Sequence, residues 1–232
     1  MENTVIARLV ERVLLAPEVG HFVFEVSDGE RIKFHPGQFV LVHHAEAGPV
    51  KRAYSIASPP DAGKALELCV KHIRSGALQN YLFQMQPGQE VVLEGPHGHF
   101  LLRQPVRDSL FVAAGTGIAP IRSMIGHALR QGAANRLQLL FGARSEDAIL
   151  YRHEFEKLAG AHPNFEFHST LSNAGAGWKG RRGRVQEHLF ALILEQTDLD
   201  VYVCGGRAMV SEVRARLEQT GFDPQSIFYE KY

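Results

Sequence analysis

The 232-residue sequence predicts two units of different architecture: an antiparallel β-barrel over residues 1–103, then an α/β unit with a parallel sheet over residues 104–232. Three observations carry that expectation. The first half alternates apolar and polar residues in short runs between Gly/Pro turns, as half-buried strands do. The second half alternates continuous apolar runs with segments of helical period, as strands covered on both faces by helices do. Between them, residues 101–108 hold Pro105 and no sustained period, and form the candidate linker.

In the first half, Phe22, Phe24 and Val26 alternate with Val23 and Glu25. Phe39-Val40-Leu41-Val42 follows the turn residues Pro36-Gly37, and Leu66, Leu68 and Val70 alternate with Glu67, Cys69 and Lys71. Val91-Val92-Leu93 follows Pro87-Gly88, and a short helix is expected over 77–83. In the second half, Leu110-Phe111-Val112-Ala113-Ala114 reads as a fully buried strand. A helix follows with Ile121, Ile125, Ala128 and Leu129 on one face and Gly132 near its end. Strands are expected at 137–141, 165–169, 199–203 and 227–229, and helices at 151–159, 185–195 and 209–217.

Lysine plus arginine number 25 and aspartate plus glutamate number 25, so the chain lacks the basic excess of a nucleic-acid binder. Residues 179–184 form one local basic cluster. Met1-Glu2-Asn3-Thr4 opens no basic and apolar leader, and no apolar run approaches membrane-spanning length, so a cytoplasmic protein without membrane insertion is expected. The two cysteines, Cys69 and Cys204, fit a reducing compartment and fall short of the four that usually hold an iron–sulfur cluster. Any redox cofactor held by this chain is therefore expected to be organic. The adjacent His43-His44 point to opposite faces of a strand, no His-Glu-x-x-His pattern occurs, and no metal site is expected.

Ala113-Ala114-Gly115-Thr116-Gly117-Ile118-Ala119-Pro120 joins the buried strand to a helix. Glycines let a ligand approach the backbone, the helix start offers N–H groups to a pyrophosphate, and Pro120 fits the first turn, where its missing N–H costs nothing. By itself the turn is equally a plain strand-to-helix connection. Its place after the first strand of a βαβ unit favours a nucleotide. At the end of the next strand, Arg144 suits the 2′-phosphate of NADPH, whereas Glu146 or Asp147 suits the free ribose of NADH. Arg52-Ala53-Tyr54-Ser55 starts a strand after Gly48-Pro49, preceded by Pro36-Gly37-Gln38-Phe39 and followed by Gly95-Pro96-His97-Gly98-His99-Phe100.

On those motifs, the chain resembles the ferredoxin–NADP reductase family over essentially its whole length. The resemblance implies a flavin-binding barrel followed by a Rossmann-like NAD(P)-binding domain. It implies that Arg52 holds a flavin phosphate, that Tyr54 packs along the flavin, and that Ser55 hydrogen-bonds near N5, the hydride acceptor. Val70-Lys71-His72-Ile73 resembles the strand whose backbone edges the flavin ring. Gly76-Ala77-Leu78-Gln79-Asn80-Tyr81-Leu82 resembles the loop and helix start that receive the FAD pyrophosphate. Gln79 stands where the family usually has Ser or Thr, so one hydroxyl contact is lost and FMN becomes an alternative to FAD. Val201-Tyr202-Val203-Cys204-Gly205-Gly206 resembles the segment whose cysteine lies by nicotinamide C4. A free cysteine at a strand end is often only a small buried hydrophobe; here Cys204, with Gly205, is read as shaping the nicotinamide pocket rather than as a nucleophile. Tyr232, in the tail Phe228-Tyr229-Glu230-Lys231-Tyr232, matches a terminal aromatic that stacks on the flavin, and Glu230 is the candidate proton relay. Ser55 and Cys204 would bracket a hydride path from NADH or NADPH to the flavin. Trp178-Lys179-Gly180-Arg181-Arg182-Gly183-Arg184-Val185 resembles a loop, leading into a helix, that is shared with bacterial flavin reductases. The segment 95–100 and the aromatic tail look more like ferredoxin and oxygenase reductases. Electrons are thus expected to reach a separate one-electron acceptor such as a ferredoxin, with free flavin as the alternative substrate and a non-catalytic redox subunit as the rival class.

Overall fold

The computed structural model describes residues 4–26, 32–45, 50–193 and 198–232. They form two compact units: one from the described residues up to Leu102 together with Arg122–Arg130, the other from Arg103–Ile121 and the described part of Gln131–Tyr232. Met1-Glu2-Asn3, the Gly48-Pro49 turn and Glu195 lie outside the described residues.

The first unit is a six-stranded antiparallel sheet of β1 (Thr4–Ala16), β2 (Val19–Val26), β3 (Phe39–His43), β4 (Arg52–Ser55), β5 (Leu66–Lys71) and β6 (Glu90–His97), in the order β4-β3-β6-β1-β2-β5. An antiparallel bridge between Ile56 and Leu68 ties the two edge strands and curls the sheet toward a barrel. Inside it, Phe22, Phe24, Val40, Val42, Leu68, Val70 and Leu93 are buried together with Leu78 and Leu82 of α1 (Ala77–Gln84). Phe22 meets Phe83 edge-on at 5.4 Å. Full burial of such a ring contributes about 1.5–3 kcal/mol.

The long strand β1 was not among the expected elements. Its pairing with β2 slips between Leu9 and Glu11 and again between Leu14 and Ala16. Each slip interrupts the two-residue period. Ala7 and Leu9 face the core while Ile6, Val10, Val13 and Leu14 are exposed, so apolarity along this segment does not mark one face.

The second unit is a six-stranded parallel sheet of β7 (Ser109–Ala114), β8 (Leu137–Ala143), β9 (Phe165–Leu171), β10 (Arg181–Arg182), β11 (Asp200–Gly205) and β12 (Ile227–Lys231), in the order β10-β9-β8-β7-β11-β12. Leu110, Val112, Leu140, Val201 and Val203 pack on one face against Leu189 and Leu192 of α4 (Leu189–Ile193) and Val210, Val213 and Leu217 of α5 (Arg207–Gln219). On the other face Phe111, Tyr202 and Phe228 stack in a row across three neighbouring strands. That face also carries Phe165 and Phe167, which Phe155 of α3 (Arg152–Ala161) covers. The remaining helix, α2 (Ile118–Arg130), follows β7 through a 3-10 turn at Gly115–Gly117.

Two expectations need correction. The helix expected over 185–195 is a 3-10 turn, Val185–Glu187, and then the short α4. Glu187 accepts the Arg184 N–H at 2.8 Å in a capping box that starts the turn at Arg184, and His188 separates that turn from α4. The expected loop at 178–185 contains β10, which pairs with Thr170 and Leu171 of β9.

Candidate functional site

The second unit presses two sequence-distant motifs together. Gly115 opens the turn after β7 with φ 56°, a conformation that disfavours any side chain. A Cβ on Gly117 would lie 2.3 Å from the Cys204 carbonyl oxygen and 2.8 Å from the Gly205 nitrogen. Gly117 therefore lies backbone to backbone against the Cys204-Gly205 segment. Parallel pairing sets Cys204 beside Ala113 on one side and Glu230 on the other. The C-terminal ends of β7, β11 and β12 thus gather Gly115, Thr116, Gly117, Cys204, Gly205 and Glu230 at one edge, the place where open parallel sheets bind ligands. Pro120 sits buried in the first turn of α2.

Cys204 is 1% exposed, and burial, with Glu230 adding, pushes its thiol well above the usual range. It stays a neutral thiol at physiological pH, which suits a pocket wall and not a nucleophile. Tyr232 closes the group. Its hydroxyl accepts the Gly117 N–H at 2.8 Å and the Thr116 hydroxyl at 3.3 Å, and donates to the Ala114 carbonyl at 3.1 Å. Its own N–H donates to Gly205 O at 3.3 Å. The expected aromatic tail is thus tied by its polar end to the turn. Arg144 follows β8, exposed, its carbonyl accepting from Asn173 N–H at 2.8 Å. Of the two rival acids, Glu146 pairs with Arg152 at 2.6 Å and Asp147 accepts the Ser145 hydroxyl.

The flavin-type residues lie in the first unit. Arg52 is exposed and donates to Lys51 O at 3.1 Å. Ala53 is exposed, and Ser55 is half-buried opposite Phe39 of β3. Tyr54 packs against the barrel core; burial pushes its phenol up to about 12, and its buried oxygen has no hydrogen-bond partner among the described residues. Val70 is buried and Lys71 exposed at the end of β5. His72 stacks on Phe83 at 4.6 Å and meets Asn80 Oδ1 at 2.8 Å. Gly76, Ala77, Leu78 and Gln79 form the start of α1, with Gly76 at its N-cap.

Asn80, inside the Gly76–Leu82 motif, organises this corner. Its amide also donates to Arg74 O at 2.9 Å, and its backbone N–H to Gly76 O at 2.9 Å. An Asn just inside a helix that follows Gly is a readable signal for such a local clamp.

The residues present fit a flavin and a dinucleotide. A buried phenol without a partner calls for a polar ligand, because such groups are normally satisfied. The Gly117 contact leaves a side-chain-free turn of the kind a pyrophosphate approaches. A family model for an oxidoreductase FAD-binding domain matches residues 6–101, and one for an oxidoreductase NAD-binding domain matches residues 111–215. The chain is 42% identical over 236 residues to the ferredoxin–NADP reductase B of Sorangium cellulosum, covering 97% of this chain and 96% of that one.

The chain belongs to the ferredoxin–NADP reductase family. It is a flavin-dependent NAD(P)H oxidoreductase, and FAD and a nicotinamide nucleotide are its cofactors. It is also 28% identical over 204 residues to the anthranilate 1,2-dioxygenase electron transfer component of Acinetobacter baylyi, spanning 59% of that relative. Among solved structures, it is similar in fold to a cytochrome P450 reductase of Amycolatopsis, with TM-score 0.91 and 24% identity over 99% of this chain and 70% of that one. It is likewise similar to a ferredoxin NADP+ reductase of Neisseria gonorrhoeae holding FAD and NADP, with TM-score 0.84 and 20% identity over 98% of each chain. Among the described residues, no helix is long and apolar enough to cross a membrane.

Proposed function

We propose that the protein takes a hydride from NADPH or NADH onto FAD and delivers electrons singly to a separate acceptor of the ferredoxin type. The contact of Gly117 with Cys204 and Gly205 carries the reading, because one unit then holds a phosphate turn and a neutral pocket cysteine together. The flavin, when bound, converts a two-electron donor into two one-electron deliveries; the protein positions and tunes it. In this reading residues 1–103 serve the flavin and residues 104–232 the nucleotide. Arg52 holds the flavin phosphate through its planar donors. Tyr54 lies along the ring, and the backbone at Val70, Lys71 and His72 edges it. Ser55 hydrogen-bonds near the hydride-accepting atom. Gly115, Thr116, Gly117 and Pro120 seat the pyrophosphate, Cys204 and Gly205 shape the nicotinamide pocket, and Glu230 serves as the proton relay.

The single-electron acceptor is supported by the printed roles of the relatives, a ferredoxin–NADP reductase and a dioxygenase electron transfer component. NADPH is favoured over NADH because the two acids are engaged while the Arg144 guanidinium has no partner among the described residues. The test is anaerobic titration of the purified yellow protein with each nucleotide, followed by addition of a ferredoxin. Bleaching by NADPH and stoichiometric ferredoxin reduction are expected. Flavin that stays oxidised under excess nucleotide rules the enzyme reading out. A colourless protein that reduces added flavin establishes the free-flavin reductase instead.

A further inference from the structure

β4 carries the flavin motif Arg52–Ser55 on an edge of the first sheet, with β3 as its neighbour. Past Ser55 the chain meets β5 through a bridge of Ile56 with Leu68, and the Ala57 N–H donates to Glu67 O at 2.7 Å. Ile56, Ala57 and Ser58 are all buried. A bridge in place of a ladder leaves the next carbonyls without strand donors, and a buried carbonyl is costly when unpaired.

Side chains of α2 supply those donors. The stretch of this helix from Arg122 to Arg130 belongs to the first unit. Arg122 Nη1 donates to Ala57 O at 2.8 Å and also to the Glu67 carboxylate of β5. Ser123 Oγ donates to Ser58 O at 2.7 Å, while Ser58 Oγ accepts the Glu67 N–H at 3.1 Å. One guanidinium nitrogen thus spans the continuation of β4 and the facing strand β5. The Arg122 and Glu67 side chains are 13% and 22% exposed, so solvent screens the pair little. His21 of β2 stands beyond it, 3.9 Å from Glu67. Further along the helix, a Cβ on Gly126 would lie 2.6 Å from Pro59 Cγ, so the helix also presses closely on the residue after Ser58. The segment directly after the flavin motif is therefore gripped at successive carbonyls.

We propose that Arg122 is a positioning residue for hydride transfer. By holding Ala57 and Glu67 together it fixes the end of β4, and with it the place at which Ser55 meets the hydride-accepting atom of the flavin. It acts through Ser55 and not by contact with the reacting atoms. The inference rests on the flavin reading above and extends it to a residue that the motif does not contain. A displacement near 1 Å at a reacting centre commonly costs about 100-fold in rate, so a grip on this strand end bears directly on turnover.

A double-mutant cycle with Ser55 separates this role from a merely structural one. The full-length chain, loaded with FAD, is mixed anaerobically with NADPH in a stopped-flow instrument. The limiting rate constant of flavin reduction and the nucleotide Kd come from one titration, and a thermal melt checks that each variant is folded. Arg122→Gln is expected to lower the limiting rate by about 10- to 100-fold and leave nucleotide Kd within about 2-fold. Arg122→Lys, which keeps a cation between Ala57 O and Glu67, is expected to recover the rate to within about 5-fold of wild type. Glu67→Gln, which turns a charge-assisted bond into a neutral one, is expected to lower it by about 2- to 10-fold. In the Ser55→Ala background the further loss from Arg122→Gln is expected to shrink to about 2-fold, because both changes break one line of action. Losses that multiply in full in the double variant, or a folded Arg122→Gln whose rate stays within about 2-fold of wild type, overturn the proposal. Should Arg122→Gln not fold, Glu67→Gln with Ser55→Ala forms the same cycle and is judged the same way. If Ser55→Ala alone leaves the limiting rate unchanged, the reading of Ser55 at the flavin fails, and the proposal with it.

Discussion

The two candidate half-sites differ in how their polar groups are satisfied. In the first, the Tyr54 hydroxyl is buried with no hydrogen-bond partner among the described residues. In the second, the Gly117 N–H is already satisfied by Tyr232, and the Ala114 carbonyl accepts that same hydroxyl. A buried group left unsatisfied costs about 1–3 kcal/mol. A surface that bears this cost suits a ligand that stays, because binding relieves it. A surface that satisfies itself suits a ligand that arrives, competes and leaves. The contrast matches a resident flavin on one side and an exchanging nucleotide on the other.

The most severe break is expected at Gly117. In Gly117→Ala the new methyl meets backbone atoms of Cys204 and Gly205, which cannot move aside as a flexible side chain would. The turn must shift, and a displacement near 1 Å commonly costs about 100-fold in catalysis. Nucleotide KM should rise by that order while the flavin-to-protein absorbance ratio stays at the wild-type value. Loss of flavin as well would mean that the two half-sites are not separable. The converse break is Arg52→Ala. A charge-assisted phosphate contact contributes about 1.5–3 kcal/mol, so flavin affinity should fall by about 10- to 100-fold in equilibrium dialysis. Affinity of NADP+ for the oxidised protein, read by calorimetry, should stay unchanged.

Tyr232→Phe tests the self-satisfied side directly. The ring remains and only the hydroxyl is lost. If the hydroxyl competes with nucleotide for the Gly117 N–H, removing it should tighten NADP+ binding by about 2- to 10-fold. Flavin content should not change. Unaltered NADP+ affinity would show that the Tyr232 bonds are not held in solution, and the contrast between the units would lose its second half.

How much of this could be read in the sequence follows from how local each signal is. The buried run at residues 110–114 and the glycines after it are legible because strand, turn and helix start are contiguous. The meeting of Gly117 with Cys204 was legible only through family resemblance, since 87 residues of chain are closed by parallel pairing that no local pattern encodes. β1 escaped because its bulges shift the alternation twice. The helix over 185–195 was overestimated because Val185, Leu189 and Leu192 do share a face, while His188 interrupts the run between the 3-10 turn and α4.

The smallest expected effect concerns pH. Tyr54 titrates only near 12, and Cys204 is pushed well above its usual range, so neither becomes charged near neutrality. The groups that respond to mild acid lie elsewhere in each unit. Burial lowers His21 in the first, opposed by Glu67 and reinforced by Arg122, and burial lowers His168 in the second, reinforced by Arg181 and opposed by Glu166. A histidine whose folded pKa is lowered binds its proton more readily when unfolded, so stability is full above the unfolded value near 6.5 and declines as pH falls below it. The thermal midpoint of the chain should therefore drop gradually from pH 7 to 5.5. His21→Gln and His168→Gln should each flatten part of that slope, and the two parts should add, because the residues sit in different units. Flavin affinity measured over the same range should stay level. A flavin affinity that tracks the midpoint would instead tie the first half-site to the stability of its barrel and remove the reason for treating its unsatisfied hydroxyl as reserved for a ligand.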